Sequence, residues 1–195
     1  EFRNFGETLI SLMNWGNKEA SLEALYLLDS ALLEPGEEYL RLISKTKNEN
    51  SLRYKVDNGQ GDLLDVIFTQ DAVLIRGFDH ENELNQFSAS IWDQSVIDKI
   101  YEGVEPKFSS LFSSKERDQT TFFIWYDGAE HQNLVGGNNG GRWLLAYTFD
   151  SFDKFSKFVK GYYEINFDDD MLKKLYESGE LSQEYIKILK NKLTN

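Results

Sequence analysis

The chain contains no cysteine, and this absence excludes several kinds of chemistry. Without cysteine the protein has no disulfide framework, no thiolate nucleophile and no cysteine-ligated zinc site. The composition fits a reducing cytosol. Long apolar runs are also lacking, since none approaches the roughly 18 residues that a membrane-spanning helix needs. The first residues show no signal-peptide pattern. We therefore expect a cytoplasmic protein that does not act at a membrane.

Basic residues are few in the middle of the chain. The formal net charge is −12, and residues 57–105 account for −9 of it, because eleven acidic residues there face only Arg76 and Lys99. An acidic field repels the phosphates of nucleic acids and of anionic lipids, and it steers a basic protein toward the surface. The alternative is that these carboxylates only keep the surface soluble. The charge pattern favours a basic protein as the partner and argues against nucleic acid.

Three apolar runs in the middle of the chain are rich in β-branched, aromatic and aliphatic residues. They are Leu52–Val56, Leu63–Thr69 and Ala72–Phe78. The first break between them, residues 57–62, reads DNGQGD, and tight turns favour glycine, asparagine and aspartate. The dipeptide Gln70-Asp71 makes the second break. Short connections between β runs predict an antiparallel meander.

Apolar residues at three- and four-residue steps predict helices in most of the remaining chain. These helices are expected at residues 7–15, 19–33, 37–44, 91–104, 108–112, 152–164, 168–176 and 182–193. We expect Gly16-Asn17 to separate the first two helices, and residues 45–51 and 115–119 to form loops. Further strands are predicted at residues 120–126, buried on both faces, and at residues 142–149, with a long glycine-rich hairpin loop between them.

These elements together predict the fold class. A chain of 195 residues with 41% hydrophobic and 14% aromatic side chains can bury a substantial core. We expect a single domain over residues 1–195 of the α+β class. Its mainly antiparallel sheet has about five strands, and helices at the N-terminus, in the middle and at the C-terminus pack on that sheet.

Asp79, His80 and Glu81 follow the last run of the meander and form a candidate metal-binding tripeptide. Adjacent side chains of an extended chain point to opposite faces, so Asp79 and Glu81 can converge while His80 points away. A zinc site needs a further donor, and His131 is the only other histidine. We therefore expect Asp79 and His80 to bond the backbone where the sheet ends. A metal-dependent hydrolase centred on Asp79, His80 and Glu81 remains the alternative function.

The other motifs offer no catalytic residues. Asp57, Asp62 and Asp65 can supply oxygen ligands to calcium, but their spacing departs from DxDxDG, and turn formation accounts for them. The run GGNNGG at residues 136–141 matches no phosphate-binding pattern, and its place between two predicted strands favours a contact loop. No GxSxG nucleophile elbow occurs, and the acidic run 168–170 fits a helix start. We predict no catalytic residue, no metal and no cofactor.

Three pieces of the sequence, in this order, resemble a bacterial family of small uncharacterised proteins. They are DNGQGD at residues 57–62, RGFDHE at residues 76–81 and TFFIWY at residues 121–126. Members of that family carry a DNGSGD-like turn, a KGFDHES segment and a TFCIW-type strand. The chain departs from this pattern after Glu81, where NELN replaces the family's Ser-Pro-rich continuation. The resemblance implies an immunity protein of a polymorphic-toxin locus, which binds and blocks a partner toxin. It supplies no catalytic residues.

The charge pattern and the resemblance together predict a small acidic binding protein that neutralises a basic toxin domain, such as a nuclease. The predicted partner-binding residues are Asp57, Asp62, Asp79, Glu81, Glu83, Trp92 and Asp93. Charge pairs around a few aromatic anchors give tight and fast binding. A purely structural role in a larger assembly is the remaining alternative, and we do not expect an enzyme.

Overall fold

The structure, a computed structural model, describes the backbone of residues 3–193 and the side chains of residues 15–190. The chain forms two compact units. One combines the residues up to Ser44 with those from Ala146 onward, and the other comprises Lys45–Leu145. The expectation of a single domain stays a prediction, because compactness alone does not test whether the units fold separately.

A six-stranded sheet forms the middle of the chain. Its strands are β1 (Ile43–Lys47), β2 (Ser51–Asp57), β3 (Leu63–Thr69), β4 (Val73–Phe78), β5 (Phe122–Tyr126) and β6 (Glu130–Gln132). The strands lie side by side in chain order, and the pairs from β2 to β6 are antiparallel. This arrangement confirms the predicted meander and the α+β class, with six strands rather than about five. All five residues of β5 are buried, as predicted.

Seven α-helices accompany the sheet in the described part of the chain. They are α1 (Arg3–Leu32), α2 (Gln94–Ile100), α3 (Pro106–Ser109), α4 (Ser114–Asp118), α5 (Phe152–Tyr163), α6 (Asp169–Ser178) and α7 (Gln183–Leu193). Side-chain caps set several of their starts, since helix ends leave backbone N–H groups without partners. Ser151 caps α5 and Asp168 caps α6.

Helices α2 and α3, with the residues around them, cover one face of the sheet. The core cluster on this face consists of Ile67, Ala72, Leu74, Ile100, Phe108, Phe112, Phe123 and Trp125. Helix α2 is shorter than expected, because the Asp93 side chain accepts a hydrogen bond from the N–H of Ser95 and so starts the helix there. The expected loop at residues 115–119 is mostly helix α4, because Ser113 and Glu116 form a reciprocal capping box.

Helix α1 runs unbroken through Gly16-Asn17, so the expected break there is wrong. A Cβ added at Gly16 would meet no atom within 4 Å, and one glycine in an exposed helix costs only about 1 kcal/mol relative to alanine. The helix-favouring residues that follow outweigh this cost. The apolar side chains predicted for the first half of this helix, up to residue 14, lie outside the described side chains.

Two short apolar segments were assigned to the wrong structure. Residues 142–149 were expected to form a strand, but Arg142–Thr148 is a 3-10 helix that follows Gly141, a residue with φ of +85°. For a short apolar run, the spacing of apolar residues alone cannot distinguish a strand from a helical segment. The expected helix at residues 37–44 shrinks to a 3-10 turn, Glu38–Leu40. Strand β1 replaces the end of that helix and the first three residues of the loop expected at residues 45–51.

Candidate functional site

The turn between β2 and β3 is built by its own side chains. Asn58 Oδ1 accepts hydrogen bonds from the backbone N–H groups of Gln60 (2.9 Å) and Asp62 (3.2 Å). Asn58 Nδ2 donates to Asp62 Oδ2 at 2.8 Å, and Asp57 Oδ1 accepts from the N–H of Gly59 at 3.0 Å. Gly59 has φ of +71°, a region that favours glycine. The DNGQGD sequence therefore forms the predicted turn, and the turn orients the Asp62 carboxylate.

Asp62 binds His80 at the end of β4. Asp62 Oδ1 accepts a hydrogen bond from the backbone N–H of His80 at 3.0 Å and lies 2.8 Å from His80 Nδ1. Asn85 Nδ2 donates to the His80 carbonyl at 2.7 Å. The Asp62 side chain is buried, whereas that of His80 is 41% exposed. Because Nδ1 is engaged, Nε2 is the ring nitrogen left for a proton or a ligand.

Asp79 lies beside this pair and is held by three segments. Its backbone N–H donates to Thr121 Oγ1 at 2.9 Å. Its Oδ2 accepts from Trp143 Nε1 at 2.9 Å, and its Oδ1 accepts from the N–H of Glu81 at 3.2 Å. A Cβ added at Gly141 would lie 2.4 Å from Asp79 Oδ2. The glycine-rich loop is thus packed against Asp79, and this close approach requires glycine.

Asp62, Asp79 and His80, which we call the carboxylate–histidine cluster, offer three ligand atoms that lie within 4.8 Å of one another. Each carboxylate is oriented by a neutral donor, Asn58 on Asp62 and Trp143 on Asp79. Metal-binding side chains commonly have such supporting hydrogen bonds. The cluster therefore has the donor types for a divalent cation, and its Asp–His pair can also hold or move a proton.

The composition of this cluster corrects the expectation from sequence. Glu81 is 86% exposed and lies outside the cluster, whereas His80 lies inside it and does not point away from Asp79. The reason is that the strand ends at Phe78 and the chain then turns, with the N–H of Asn82 donating to the Asp79 carbonyl at 3.1 Å. The alternation of an extended chain does not apply there. Asp79 does bond the backbone, as predicted.

The Asp62–His80 pair predicts a pH dependence. The hydrogen bond to Asp62 raises the pKa of His80 above 6.5, and the charges of Asp62, Glu81 and Asp79 act in the same direction, while burial opposes them. Burial would raise the pKa of Asp62, but the hydrogen bonds from His80 and Asn58 lower it below 3.8. The His80 contribution to stability is fully present below its unfolded pKa and is lost as pH rises through its folded pKa. The Asp62 contribution is lost as pH falls through its folded pKa.

We expect an Asp62→Asn variant to lower the His80 pKa toward 6.5. The asparagine keeps an oxygen that accepts from the His80 backbone but removes the charge that favours imidazolium. An NMR titration of the His80 ring protons in both proteins measures the change. An equal His80 pKa in the two proteins would show that the pairing is absent in solution.

The segment between β4 and α2 exposes apolar side chains. Phe87, Ile91 and Trp92 are 57%, 84% and 41% exposed. The rings of Phe87 and Trp92 pack edge to face at 5.4 Å. The buried Gln86 accepts a hydrogen bond at its Oε1 from the N–H of Asp93 at 2.8 Å, which links the two ends of the segment. We call residues 86–93 the aromatic loop. Grouped exposed apolar side chains mark interaction surfaces, whereas isolated ones are ordinary.

The structure places the seven predicted partner-binding residues in two settings. Those that are exposed are Asp57, Glu81, Glu83, Trp92 and Asp93. Asp62 is buried and Asp79 is half-buried, both within the carboxylate–histidine cluster. The Asp93 side chain also accepts hydrogen bonds from Ser95 that cap α2. These hydrogen bonds lower the pKa of Asp93. Whether these residues contact a partner stays a prediction. Phe87 was not singled out, because one aromatic residue in a polar stretch carries no periodic signal.

A buried ion network was also missed. Asp65 and Arg76 are both fully buried. Arg76 Nε donates to Asp65 Oδ2 and Arg53 Nε donates to Asp65 Oδ1, each at 2.8 Å. Arg53 also pairs with Glu116. Burial would raise the pKa of Glu116, but hydrogen bonds from Ser113 and Arg53 lower it to about 2. Asp65 thus holds Arg53 and Arg76, and these two arginines join the sheet to Glu116 of α4. Asp65 lies within β3 and is not a turn residue.

Comparison with known proteins supplies no relative for this chain. No protein-family model, no curated protein and no solved structure matches it. No enzyme family or enzyme fold is therefore indicated. Within residues 3–193, no helix has both the length and the apolar character that crossing a bilayer requires. What the protein does has to be inferred from its own geometry.

Proposed function

We propose that the protein is an acidic binding protein that docks onto a basic protein domain and neutralises it, as immunity proteins do. The observation that carries the proposal is the exposed Phe87–Trp92 pair of the aromatic loop. The centres of protein interfaces are enriched in such aromatic side chains, and a few of them supply most of the binding energy. The loop is closed by the Gln86–Asp93 hydrogen bond, so little order has to be gained on binding.

The exposed charge of residues 57–105 supports a basic partner. Eight of the eleven acidic residues between positions 57 and 105 are exposed, namely Asp57, Asp71, Glu81, Glu83, Asp93, Asp98, Glu102 and Glu105. Arg76 is buried against Asp65, Lys99 pairs with Glu102, and Lys107 lies 3.5 Å from both Asp71 and Glu105. The other five exposed carboxylates have no lysine or arginine partner among the residues whose side chains are described. Exposed charge of one sign accelerates association with a partner of opposite sign, and salt weakens the effect.

A Trp92→Ala variant tests the proposal, with the product of the neighbouring gene as the partner. We expect wild-type protein to bind that product and to suppress its toxicity on co-expression. The variant should bind about 30-fold more weakly, since truncating a central tryptophan costs about 2 kcal/mol or more. Titration calorimetry gives the affinities. The wild-type association rate should fall steeply with salt.

The controls separate this surface from unspecific adhesion. Tyr39, in the unit of the terminal helices, is 80% exposed, so Tyr39→Ala removes a comparable aromatic ring and should leave the affinity unchanged. Glu83→Gln should slow association and flatten its salt dependence, with little effect on dissociation. The proposal fails if the neighbouring product neither binds nor loses toxicity, or if the Trp92 and Tyr39 variants behave alike.

The carboxylate–histidine cluster favours a second candidate function, metal-dependent hydrolysis. Its specific support is the convergence of Asp62, Asp79 and His80, in which Asp62 takes the place that the sequence assigned to Glu81. A bound divalent cation activates water for hydrolysis. Zinc or manganese added to the protein should then perturb the His80 ring resonances at one equivalent, and Asp79→Asn should abolish the effect. Unperturbed resonances would eliminate this candidate.

A further inference from the structure

An open groove of about 540 Å³ lies along one face of α5, in the unit of the terminal helices. Four of its lining residues, Lys154, Lys157, Phe158 and Gly161, follow the i, i+3, i+4, i+7 spacing of a single helix face. Phe149, from the segment before α5, also lines the groove. The volume falls within the range of sites for small organic ligands.

Aromatic rings line the groove, and a glycine in α5 leaves space beside them. The Phe158 ring lies 5.1 Å from that of Phe149 and is stacked at 5.5 Å on that of Tyr162. Gly161 is inside α5, where glycine is unfavourable, and a Cβ added there would meet no atom within 4 Å. The space beside Gly161 is therefore unfilled, and flat apolar groups can stack on the rings that flank it.

The charges at the groove favour a ligand that carries a negative charge. Lys154 Nζ lies 2.8 Å from Asp150 Oδ2, and Lys18 Nζ lies 2.7 Å from Asp150 Oδ1, so this carboxylate is neutralised by two cations. Lys157 is exposed, and its ammonium group takes part in no ion pair or side-chain hydrogen bond among the residues whose side chains the structure describes. An ammonium group beside an aromatic surface is complementary to an apolar molecule that carries one negative group.

We propose that this groove binds a small aromatic carboxylate. The ring system stacks on Phe158 and Tyr162 in the space beside Gly161, and the carboxylate pairs with Lys157. This site is separate from the aromatic loop, so it does not depend on the proposed partner. An apolar amine is disfavoured, because it would meet Lys157.

Titration of the intact chain with the carboxylate anion of 1-naphthylacetic acid, followed by NMR, tests the proposal. We expect saturable shifts of α5 amide signals with a Kd of about 1 mM or lower, because a ligand with this number of non-hydrogen atoms can reach such an affinity. The neutral analogue 1-naphthylethanol should bind about tenfold more weakly. Lys157→Gln should cost a similar factor for the carboxylate and leave the alcohol unaffected.

Gly161→Leu places a side chain in the space beside residue 161, where an added Cβ would meet no atom within 4 Å, and should abolish the shifts. Its matched control is Gly16→Leu, which makes the same change in α1 at another glycine whose Cβ meets no atom within 4 Å, and which should leave binding intact. Both variants keep or raise helix stability, so loss of binding in the first is not loss of the fold. The proposal is overturned if the carboxylate gives no saturable shifts, if the alcohol binds equally well, or if Gly161→Leu binds like wild type.

Discussion

An Asp65→Ala variant should unfold with a free energy about 3–5 kcal/mol below that of the wild type. The substitution leaves Arg76 fully buried without its carboxylate partner, and removing one member of a buried ion pair costs this amount. Arg53 loses the same carboxylate but is partly exposed, so water compensates some of its loss. Urea denaturation monitored by tryptophan fluorescence measures the difference.

Two further variants distinguish a buried charge from a general loss of packing. Glu102→Ala removes one partner of the exposed Lys99 pair and should cost less than about 1 kcal/mol. The double variant Asp65→Leu with Arg76→Met should recover much of the stability that Asp65→Ala loses, because apolar pairs can replace buried ion pairs. A loss below about 1 kcal/mol in Asp65→Ala would contradict the buried network.

A Gly140→Ala variant should lose about 3 kcal/mol or more. Gly140 has φ of +71°, and an added Cβ would lie 1.9 Å from the backbone carbonyl oxygen of Thr121. Backbone cannot move aside like a flexible side chain, so the steric term adds to the strain of a left-handed alanine. The Gly140 carbonyl also accepts a hydrogen bond from Thr121 Oγ1 at 2.7 Å. Urea denaturation again provides the measurement.

Gly136 gives a matched control in the same loop. Its φ is +59°, but a Cβ there would meet no atom within 4 Å. Gly136→Ala should therefore cost only the conformational term, about 1 kcal/mol. The difference between the two variants isolates the close approach of the loop to β5. Equal losses in both would mean that the loop is not packed against Thr121.

The sheet was predictable because its information is local. The runs that became β2, β3 and β4 are separated by turn residues, and turn chemistry together with short connections leaves few alternatives to an antiparallel meander. The helix start at the acidic run 168–170 was predictable for the same reason. The strand at residues 142–149 was wrong, because a short apolar run suits several backbones and the left-handed Gly141 before it decides among them.

The carboxylate–histidine cluster shows the limit of local reasoning. Asp79 and His80 were selected from sequence, but Asp62 was assigned to a turn and Trp143 to a strand. Their contacts span 18 and 64 residues of chain, respectively. Such contacts depend on strand register and on the path of the glycine-rich loop, and neither quantity is encoded in a short pattern. The Asp65–Arg76 pair was missed for the same reason, since only the β3–β4 register brings the two together.

By itself the sequence determined the fold class, the meander, the acidic character of residues 57–105 and the absence of cysteine chemistry. These properties follow from composition and from neighbours within a few residues, where propensity and turn geometry act. Only the tertiary structure decided which carboxylates are exposed and which are paired inside. It also decided that Phe87 meets Trp92 at the surface and that a groove opens beside Gly161. The physical reason is that burial and pairing depend on what the rest of the chain places around each side chain.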